Sequence, residues 1–197
     1  MERDEIDAAL YRKRRYSTPD QFIVDLLEKK KILKLLSQFA PYKNALDVPC
    51  GYGRNGKRLR KFCKNLVGCD ISKNMINEAR GKPYDGFVIG DIKKLPFEDN
   101  SFELVVCIRL FHHFELEEIK TSIDELLRVS SGFILFSFYK PVRAHRFFRE
   151  IRRLPPRIKT FEEKEIISHL YNKAHILYSK SLIPLIHSQQ FVLIKKT

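Results

Sequence analysis

Apolar residues near the start of the chain recur at the spacing of a helix. Between Pro19 and Pro41 they fall every three or four positions, as they do on one face of an α-helix. A proline fits the first turn of a helix, and a later proline ends one. We therefore predict a helix that begins at Pro19 and ends before Pro41. It belongs to an N-terminal helical arm, residues 1–40, that packs on the main domain, residues 41–197.

Beyond Pro41, short apolar runs alternate with helical patterns. Continuous apolar runs are typical of parallel strands that are buried on both faces. Repeated strand–helix units predict an α/β fold with a doubly wound, mostly parallel sheet. The predicted strands are Ala45–Cys50, Leu66–Cys69, Phe87–Ile89, Phe102–Ile108 and Gly132–Tyr139. The predicted helices are Arg54–Phe62, Lys73–Arg80 and Leu116–Val129.

The last third of the chain departs from this alternation. Helical spacing predicts helices over Val142–Leu154 and Phe161–Leu170. Three strand-like runs follow, at Ile176–Tyr178, Leu182–Ile186 and Phe191–Ile194. Because a short polar spacer joins the last two runs, we predict that they form an antiparallel pair.

Positive charge is unevenly distributed along the chain. Of the formal net charge of +13, the segment from Lys140 to Thr160 contributes +7, with eight cations and one acid. Arg146, Arg149 and Arg153 follow helical spacing, which predicts a basic amphipathic cap at about residues 140–160. Three interpretations remain open for it. It could be a solvated face, a site for an anionic small molecule or lipid headgroup at a membrane surface, or an RNA contact.

The cysteines and the N-terminus bear on the compartment. The four cysteines lie in or beside apolar runs without a C-x-x-C pair, which favours reduced core thiols over a metal site. The first residues have no apolar signal core, and the apolar runs are far shorter than the ~20 residues of a membrane span. We therefore predict a cytoplasmic protein without a metal.

Three glycines follow the first predicted strand. Gly51, Gly53 and Gly56 have the G-x-G-x-x-G spacing, which brings backbone N–H groups close to a ligand at a helix N-terminus. Asp70 ends the second strand about 20 residues past this turn, where an acid accepts ribose hydroxyls. These features alone fit many nucleotide-binding proteins.

Two more acids reduce the number of ligand classes that fit the glycine turn. Asp47 precedes the glycine turn and Asp91 follows the third strand, so that acids mark three strand ends with Asp70. In an open α/β sheet, ligands bind outside the carboxyl ends of the strands. A dinucleotide enzyme does not require Asp47, whereas a nucleoside with a charged amino-acid tail accounts for all three acids. A small nicotinamide-dependent oxidoreductase remains the alternative.

Four segments resemble motifs of class I S-adenosylmethionine-dependent methyltransferases. Leu46–Arg54 resembles their first motif, and Gly68–Ser72 resembles the acidic end of their second strand. Gly90–Val106 resembles the G-D-x-x-x-L-P-F block of the type-11 branch, and Arg109–Phe114 resembles its segment after the fourth strand. The resemblance covers Lys43–Tyr139. It implies a Rossmann-like, seven-stranded sheet, mostly parallel, with an antiparallel C-terminal hairpin.

The resemblance also implies roles at the cofactor, S-adenosyl-L-methionine. Asp47 would hold the ammonium group directly or through water, and Asp70 would accept from the ribose hydroxyls. Asp91 would accept from the adenine amine, and Arg109 would lie under the methionine end. The residues implied at the cofactor are Asp47, Pro49, Cys50, Gly51, Gly53, Asp70, Ile71, Asp91, Ile92 and Arg109.

Pro49 stands where the family usually has a small glycine, and it removes one backbone donor. With Arg54, Arg109 and the His112-His113 pair, it matches a subgroup whose first motif reads V-P-C-G-x-G-R. His112 and His113 are the candidates for a general base, because imidazole titrates near neutral pH. Since adjacent residues face different ways on a helix or strand, we expect one of them to be structural.

The expected activity is methylation of an anionic small-molecule or lipid-linked, envelope-related acceptor. The basic helix would contact that acceptor or a membrane surface. The alternatives are RNA methylation, a nicotinamide-dependent oxidoreductase, or a non-catalytic subunit that keeps the fold.

Overall fold

A seven-stranded sheet forms the centre of the computed structural model, which describes residues 19–142, 159–183 and 188–197. The strands are β1 (Tyr42–Asp47), β2 (Cys63–Asp70), β3 (Gly86–Ile89), β4 (Phe102–Cys107), β5 (Ser130–Tyr139), β6 (Ala174–Ser181) and β7 (Gln189–Lys196). The helices are α1 (Pro19–Leu36), α2 (Gly56–Leu59), α3 (Lys73–Ala79), α4 (Leu116–Val129) and α5 (Glu163–Ile167), with 3-10 turns at Phe111–His113 and Ser168–Leu170.

The strand order is β3-β2-β1-β4-β5-β7-β6. The first five strands are parallel, while β7 runs antiparallel to both β5 and β6. This arrangement confirms the predicted doubly wound, mostly parallel sheet with antiparallel C-terminal strands. The order reverses between β1 and β4, so the switch point where such sheets bind ligands lies at the ends of these two strands.

The predicted membership of the antiparallel pair was wrong. The partner of β7 is β6, which ends at Ser181, and not Leu182–Ile186. Leu182 and Ile183 form a bend, and residues 184–187 lie outside the described part of the chain. β6 is an edge strand with mostly exposed or half-buried side chains. Ladder hydrogen bonds rather than apolar burial therefore define its length, which is why the apolar pattern marked only its middle.

Two apolar clusters cover the two faces of the sheet. On one face, Leu35 and Leu36 of α1 pack with Leu104 of β4. On the other, Ile119 and Ile123 of α4 pack beneath the same strands. The helix α1 begins at Pro19 and lies on the core through its second half. Residues 1–18 of the expected arm lie outside the described residues.

Two predicted helices differ from the structure or lie outside its described residues. The helix predicted over Arg54–Phe62 is only one turn long in the structure, because the chain turns until Asn55 and β2 already begins at Cys63. The basic helix predicted over Val142–Leu154 falls almost wholly in residues 143–158, which the structure does not describe. No helix among the described residues is both long and apolar enough to span a bilayer.

Candidate active site at the carboxyl edge of the sheet

The three acids come together through the strand register. Asp47 ends β1 and pairs with Gly68 of β2, and Asp70 ends β2. Asp91 follows β3 by two residues. Because these strands are parallel neighbours, all three acids lie along one edge of the sheet, beside the switch point. The topology therefore assembles the constellation that the spacing indicated.

Asp70 holds the glycine turn in place. Its Oδ2 accepts from the Gly51 N–H at 2.8 Å, and its Oδ1 accepts from the Ser72 N–H at 2.9 Å. A carboxylate has about four lone-pair sites, so one oxygen can accept more than one hydrogen bond. Asp70 is thus a clamp on the turn as well as a possible ligand contact.

Gly51 and Gly53 are needed for different reasons. Both have positive φ, +52° and +78°, where a side chain is strained. A Cβ on Gly53 would lie 2.7 Å from Cγ of Lys82, so this glycine lets the turn pack against the following helix-to-strand loop. A Cβ on Gly51 would meet no described atom within 4 Å. Gly51 therefore leaves an open cradle that a ligand can approach.

Asp47 is a buried carboxylate with one satisfied oxygen. The side chain is 0% exposed, and its Oδ2 accepts from the Tyr84 hydroxyl at 2.6 Å. Its Oδ1 has no hydrogen-bond partner among the described residues. Burial, with a smaller contribution from the charge of Asp70, raises the pKa of Asp47 to about 7, although Tyr84 and Asn55 stabilise the ionised form. A cationic ligand would stabilise the ionised form further.

The region after β2 and β3 offers apolar and polar contacts. Ile71 directly follows Asp70 and is 40% exposed at the carboxyl edge, which suits packing on a flat ring. Asp91 forms a tight turn, in which its Oδ1 accepts from the Lys93 N–H at 3.0 Å. Ile92 is buried beneath that turn. The turn fixes the position of the Asp91 side chain next to the edge.

Pro49 and Cys50 are accommodated by their neighbours. The Val48 N–H donates to the Val106 carbonyl at 2.9 Å, and the Cys50 N–H donates to the Cys69 carbonyl at 2.8 Å. Hydrogen bonds therefore tether the chain to β4 before Pro49 and to β2 after it. Burial raises the pKa of the Cys50 thiol, so it is a packed side chain rather than a nucleophile.

Arg109 occupies a strained position after β4. Its φ is +63°, its N–H donates to Ser137 Oγ at 3.0 Å, and its Nε donates to Glu28 Oε2 at 2.5 Å. Glu28 lies on α1, is 0% exposed, and also pairs with Arg54. Arg54 further contacts Asp25, one turn earlier on α1. Sequence reasoning named both arginines but missed Glu28, because a lone acid on a helix is no signal by itself.

The two histidines lie together on one short turn. Their ring centroids are 3.9 Å apart, and the His112 ring meets the edge of Tyr139 at 5.2 Å. The rings are in contact on the 3-10 turn Phe111–His113, and the expectation that one of the two histidines is structural stays a prediction. The pair lies where β4 and β5 end, on the same edge as the acids.

The basic cap and the absence of a metal stay predictions. Arg146, Arg149 and Arg153 of the predicted basic cap lie outside the described residues. In the part of the chain that the structure describes, no group of three or more His, Cys, Asp or Glu side chains could hold a metal ion.

The sheet topology is that of solved methyltransferases. Residues 46–136 match the family model described as "Methyltransferase domain", Methyltransf_11. The magnesium protoporphyrin IX methyltransferase of Synechocystis PCC 6803, solved with bound S-adenosylhomocysteine, has the same fold. The TM-score is 0.77 at 18% identity, over 97% of this chain and 95% of that one. The predicted Rossmann-like methyltransferase fold is confirmed, whereas the V-P-C-G-x-G-R subgroup stays a prediction.

Relatives with names that indicate different acceptors match less than half of this chain. The tRNA (carboxymethyluridine(34)-5-O)-methyltransferase of Xenopus tropicalis is 33% identical over 84 residues, 42% of this chain and 13% of that protein. A demethylmenaquinone methyltransferase of Beutenbergia cavernae is 33% identical over 94 residues, 46% of this chain and 37% of that protein. The chain thus spans well under half the length of these relatives.

Proposed function

We propose that the protein transfers a methyl group from S-adenosyl-L-methionine to an anionic acceptor. One observation carries the cofactor assignment: Asp47, four residues before the open cradle at Gly51, has a buried oxygen without a partner among the described residues. A site that leaves a carboxylate oxygen unsatisfied suits a positively charged ligand, because an unpaired buried charge is costly. The ammonium group of the methionine tail supplies such a charge.

The remaining roles follow from position on the edge. Asp70 accepts from the ribose hydroxyls, and Ile71 packs on the adenine. Asp91 accepts from the adenine amine, with the Ile92 backbone beside it. The residues proposed to line the methionine end are Asp47, Pro49, Cys50, Gly51, Gly53 and Arg109.

Methyl transfer is an in-line displacement in which the sulfonium S–CH₃ bond breaks while the acceptor attacks the carbon. Alignment and exclusion of water supply much of the rate enhancement in such reactions. A hydroxyl acceptor must also lose a proton. His112 and His113 are the proposed general bases, because they lie at the ends of β4 and β5 on the side where an acceptor would approach.

Charge supports an anionic acceptor. The net charge is +13, and the segment that follows β5 holds more than half of it. The Lys159 N–H donates to the His112 carbonyl at 3.3 Å, so the end of this segment contacts the histidine turn. We propose that Arg146, Arg149 and Arg153 contact a small-molecule or lipid-linked acceptor there, with membrane-surface contact for a lipid. The cytoplasmic location stays a prediction.

A second candidate acceptor is RNA. Lys57, Arg60, Lys61 and Lys82 line a concave surface next to the glycine turn. Within the described residues, only Arg60 of these four has an acidic partner, Asp85. Unpaired cations in a groove suit a phosphate backbone, and one relative is named as a tRNA methyltransferase.

Calorimetric titration with S-adenosylhomocysteine tests the cofactor assignment. We expect micromolar binding to the purified protein and a large loss of affinity in Asp70→Ala, which removes both the ribose contact and the clamp on Gly51. Absence of binding, or unchanged binding in Asp70→Ala, would contradict the proposal. Binding of NADH without S-adenosylhomocysteine would favour the oxidoreductase alternative. Cofactor binding without transfer to any acceptor fraction would favour a non-catalytic subunit.

Transfer of labelled methyl groups into cell-extract fractions tests the acceptor. We expect label in small metabolites or lipids, and its loss when Arg146, Arg149 and Arg153 are reversed to glutamate while cofactor affinity is kept. The matched control reverses Lys57, Lys61 and Lys82. If the label appears in RNA and is lost only in this control variant, RNA is the acceptor rather than a small molecule or lipid.

A further inference from the structure

One buried glutamate on α1 joins two arginines from distant parts of the chain. Glu28 is 0% exposed, and its carboxylate contacts Arg54, directly after the glycine turn, and Arg109, directly after β4. Glu28 and Arg109 are 81 positions apart in sequence. The helix α1 is therefore connected to both loops that border the proposed methionine end of the cofactor.

The contact with Arg109 leaves most of the guanidinium available. Glu28 takes only the Nε–H, at 2.5 Å, and no described residue accepts a hydrogen bond from the two Nη groups. The side chain is 18% exposed, so the group is held at the surface of the site and not enclosed. An arginine with a free Nη pair presents the fork that binds a carboxylate.

The backbone of Arg109 supports a positioned side chain. Its φ of +63° is unusual for a residue with a long side chain, and such positions persist only where surrounding contacts impose them. The Ser137 hydroxyl accepts from the Arg109 N–H at 3.0 Å, and Glu28 fixes the other end of the residue. Backbone and side chain are thus held separately.

We propose that Glu28 is a positioning residue for the amino-acid tail of the cofactor. It orients Arg109 so that its Nη groups meet the tail carboxylate, and it holds Arg54 so that the glycine turn keeps its shape. The helix α1 is then part of the cofactor site and not only a packing arm. This inference rests on the proposed S-adenosylmethionine site.

Two ligands that differ only in the tail test the role. S-adenosylhomocysteine carries the amino-acid tail, whereas 5′-methylthioadenosine has the same nucleoside thioether without it. For Glu28→Gln we expect about a tenfold or larger loss of affinity for the first ligand, because charge-assisted hydrogen bonds are lost. Affinity for the second ligand should stay unchanged. A purely structural ion pair would move both affinities together or neither.

The matched control is Asp85→Asn, which changes another arginine-bound acid, the exposed partner of Arg60, and should leave both affinities unchanged. If circular dichroism shows that Glu28→Gln does not fold, Arg109→Lys takes its place. It should also lose affinity for S-adenosylhomocysteine while it keeps its affinity for 5′-methylthioadenosine. Equal losses for both ligands, or no loss, would overturn the inference alone. Failure of the wild type to bind S-adenosylhomocysteine would instead overturn the proposed function and this inference with it.

Discussion

Replacing Asp47 with asparagine removes a buried charge and keeps the shape of the side chain. The Tyr84 hydroxyl can still donate to the remaining oxygen, as it does to Asp47 Oδ2 at 2.6 Å. What changes is the ionisation of a group whose pKa is raised to about 7 by burial, from an ordinary value of 3.8. The substitution therefore tests whether the site holds a carboxylate that is costly to ionise.

The sign of the stability effect follows from proton binding. Between pH 3.8 and about 7 the folded protein keeps a proton on Asp47 that the unfolded chain has lost. The contribution of Asp47 to the free energy of unfolding is therefore fully present at low pH and falls as the pH rises through that range. At about 1.4 kcal/mol per pH unit, the wild type should lose roughly 3 kcal/mol between pH 5 and pH 8 through Asp47. Asp47→Asn lacks this loss.

Cofactor affinity should change in the opposite direction. The proposed contact with the ammonium group needs ionised Asp47, so S-adenosylhomocysteine should bind more tightly as the pH rises toward 7. Below pH 7 the affinity for S-adenosylhomocysteine should rise by up to about tenfold per pH unit, which is the limit when binding is coupled to the release of one proton. Asp47→Asn should bind weakly and with little pH dependence. The substitution thus raises the stability of the ligand-free protein at pH 8 while it lowers the affinity.

Urea unfolding of ligand-free protein from pH 5 to pH 8.5 measures the first effect, and calorimetry measures the second. The control is Asp85→Asn, because Arg60 lowers the pKa of Asp85 and leaves its stability contribution constant above pH 5. The reasoning about Asp47 is refuted if the free-energy difference between Asp47→Asn and wild type does not grow from pH 5 to pH 8. Tight, pH-independent ligand binding by Asp47→Asn would refute the ammonium contact.

Two further substitutions test the frame of the site. Gly53→Ala places a Cβ 2.7 Å from Lys82 Cγ at a φ of +78°, so we expect a loss of about 1–3 kcal/mol in urea unfolding together with weaker S-adenosylhomocysteine binding. Arg128→Met removes hydrogen bonds to the Leu95 and Phe97 carbonyls and to Glu125. We expect about 2–4 kcal/mol of destabilisation, with cofactor affinity per folded molecule unchanged; selective loss of binding would contradict this structural role.

The parallel half of the sheet was predictable because buried strands need apolar side chains, and these form runs that are visible in the sequence. Strands such as β4, buried on both faces, require apolar residues at nearly every position, and only Glu103 interrupts the apolar run Phe102–Cys107. The edge strand β6 has no such requirement, since Lys180 and Ser179 serve as well as apolar residues in a ladder with one open side. Its true length could therefore not be seen in the apolar pattern.

The acids of the site were predictable for a related reason. Parallel strands bring their carboxyl ends to one edge, so an acid at each strand end predicts a cluster without knowledge of any contact. Tyr84 and Glu28 do not lie at the end of a predicted strand, so no pattern in the sequence indicates their role. Tyr84 reaches Asp47 across 37 positions, and Glu28 reaches Arg109 across 81. Each lies in an ordinary helix or loop sequence, and only the folded chain gives it a partner.

The two acids nearest the glycine turn have opposite electrostatic surroundings. Asp70 accepts two backbone N–H groups, which bind its charged form, whereas Asp47 has one hydroxyl donor and a buried oxygen without a partner among the described residues. The charge of Asp70 also raises the pKa of Asp47. Because the pKa of Asp47 is about 7, this carboxyl is about half protonated in the ligand-free protein at pH 7. A cationic tail would stabilise the second charge and expel the proton, so cofactor binding and proton release are expected to be linked.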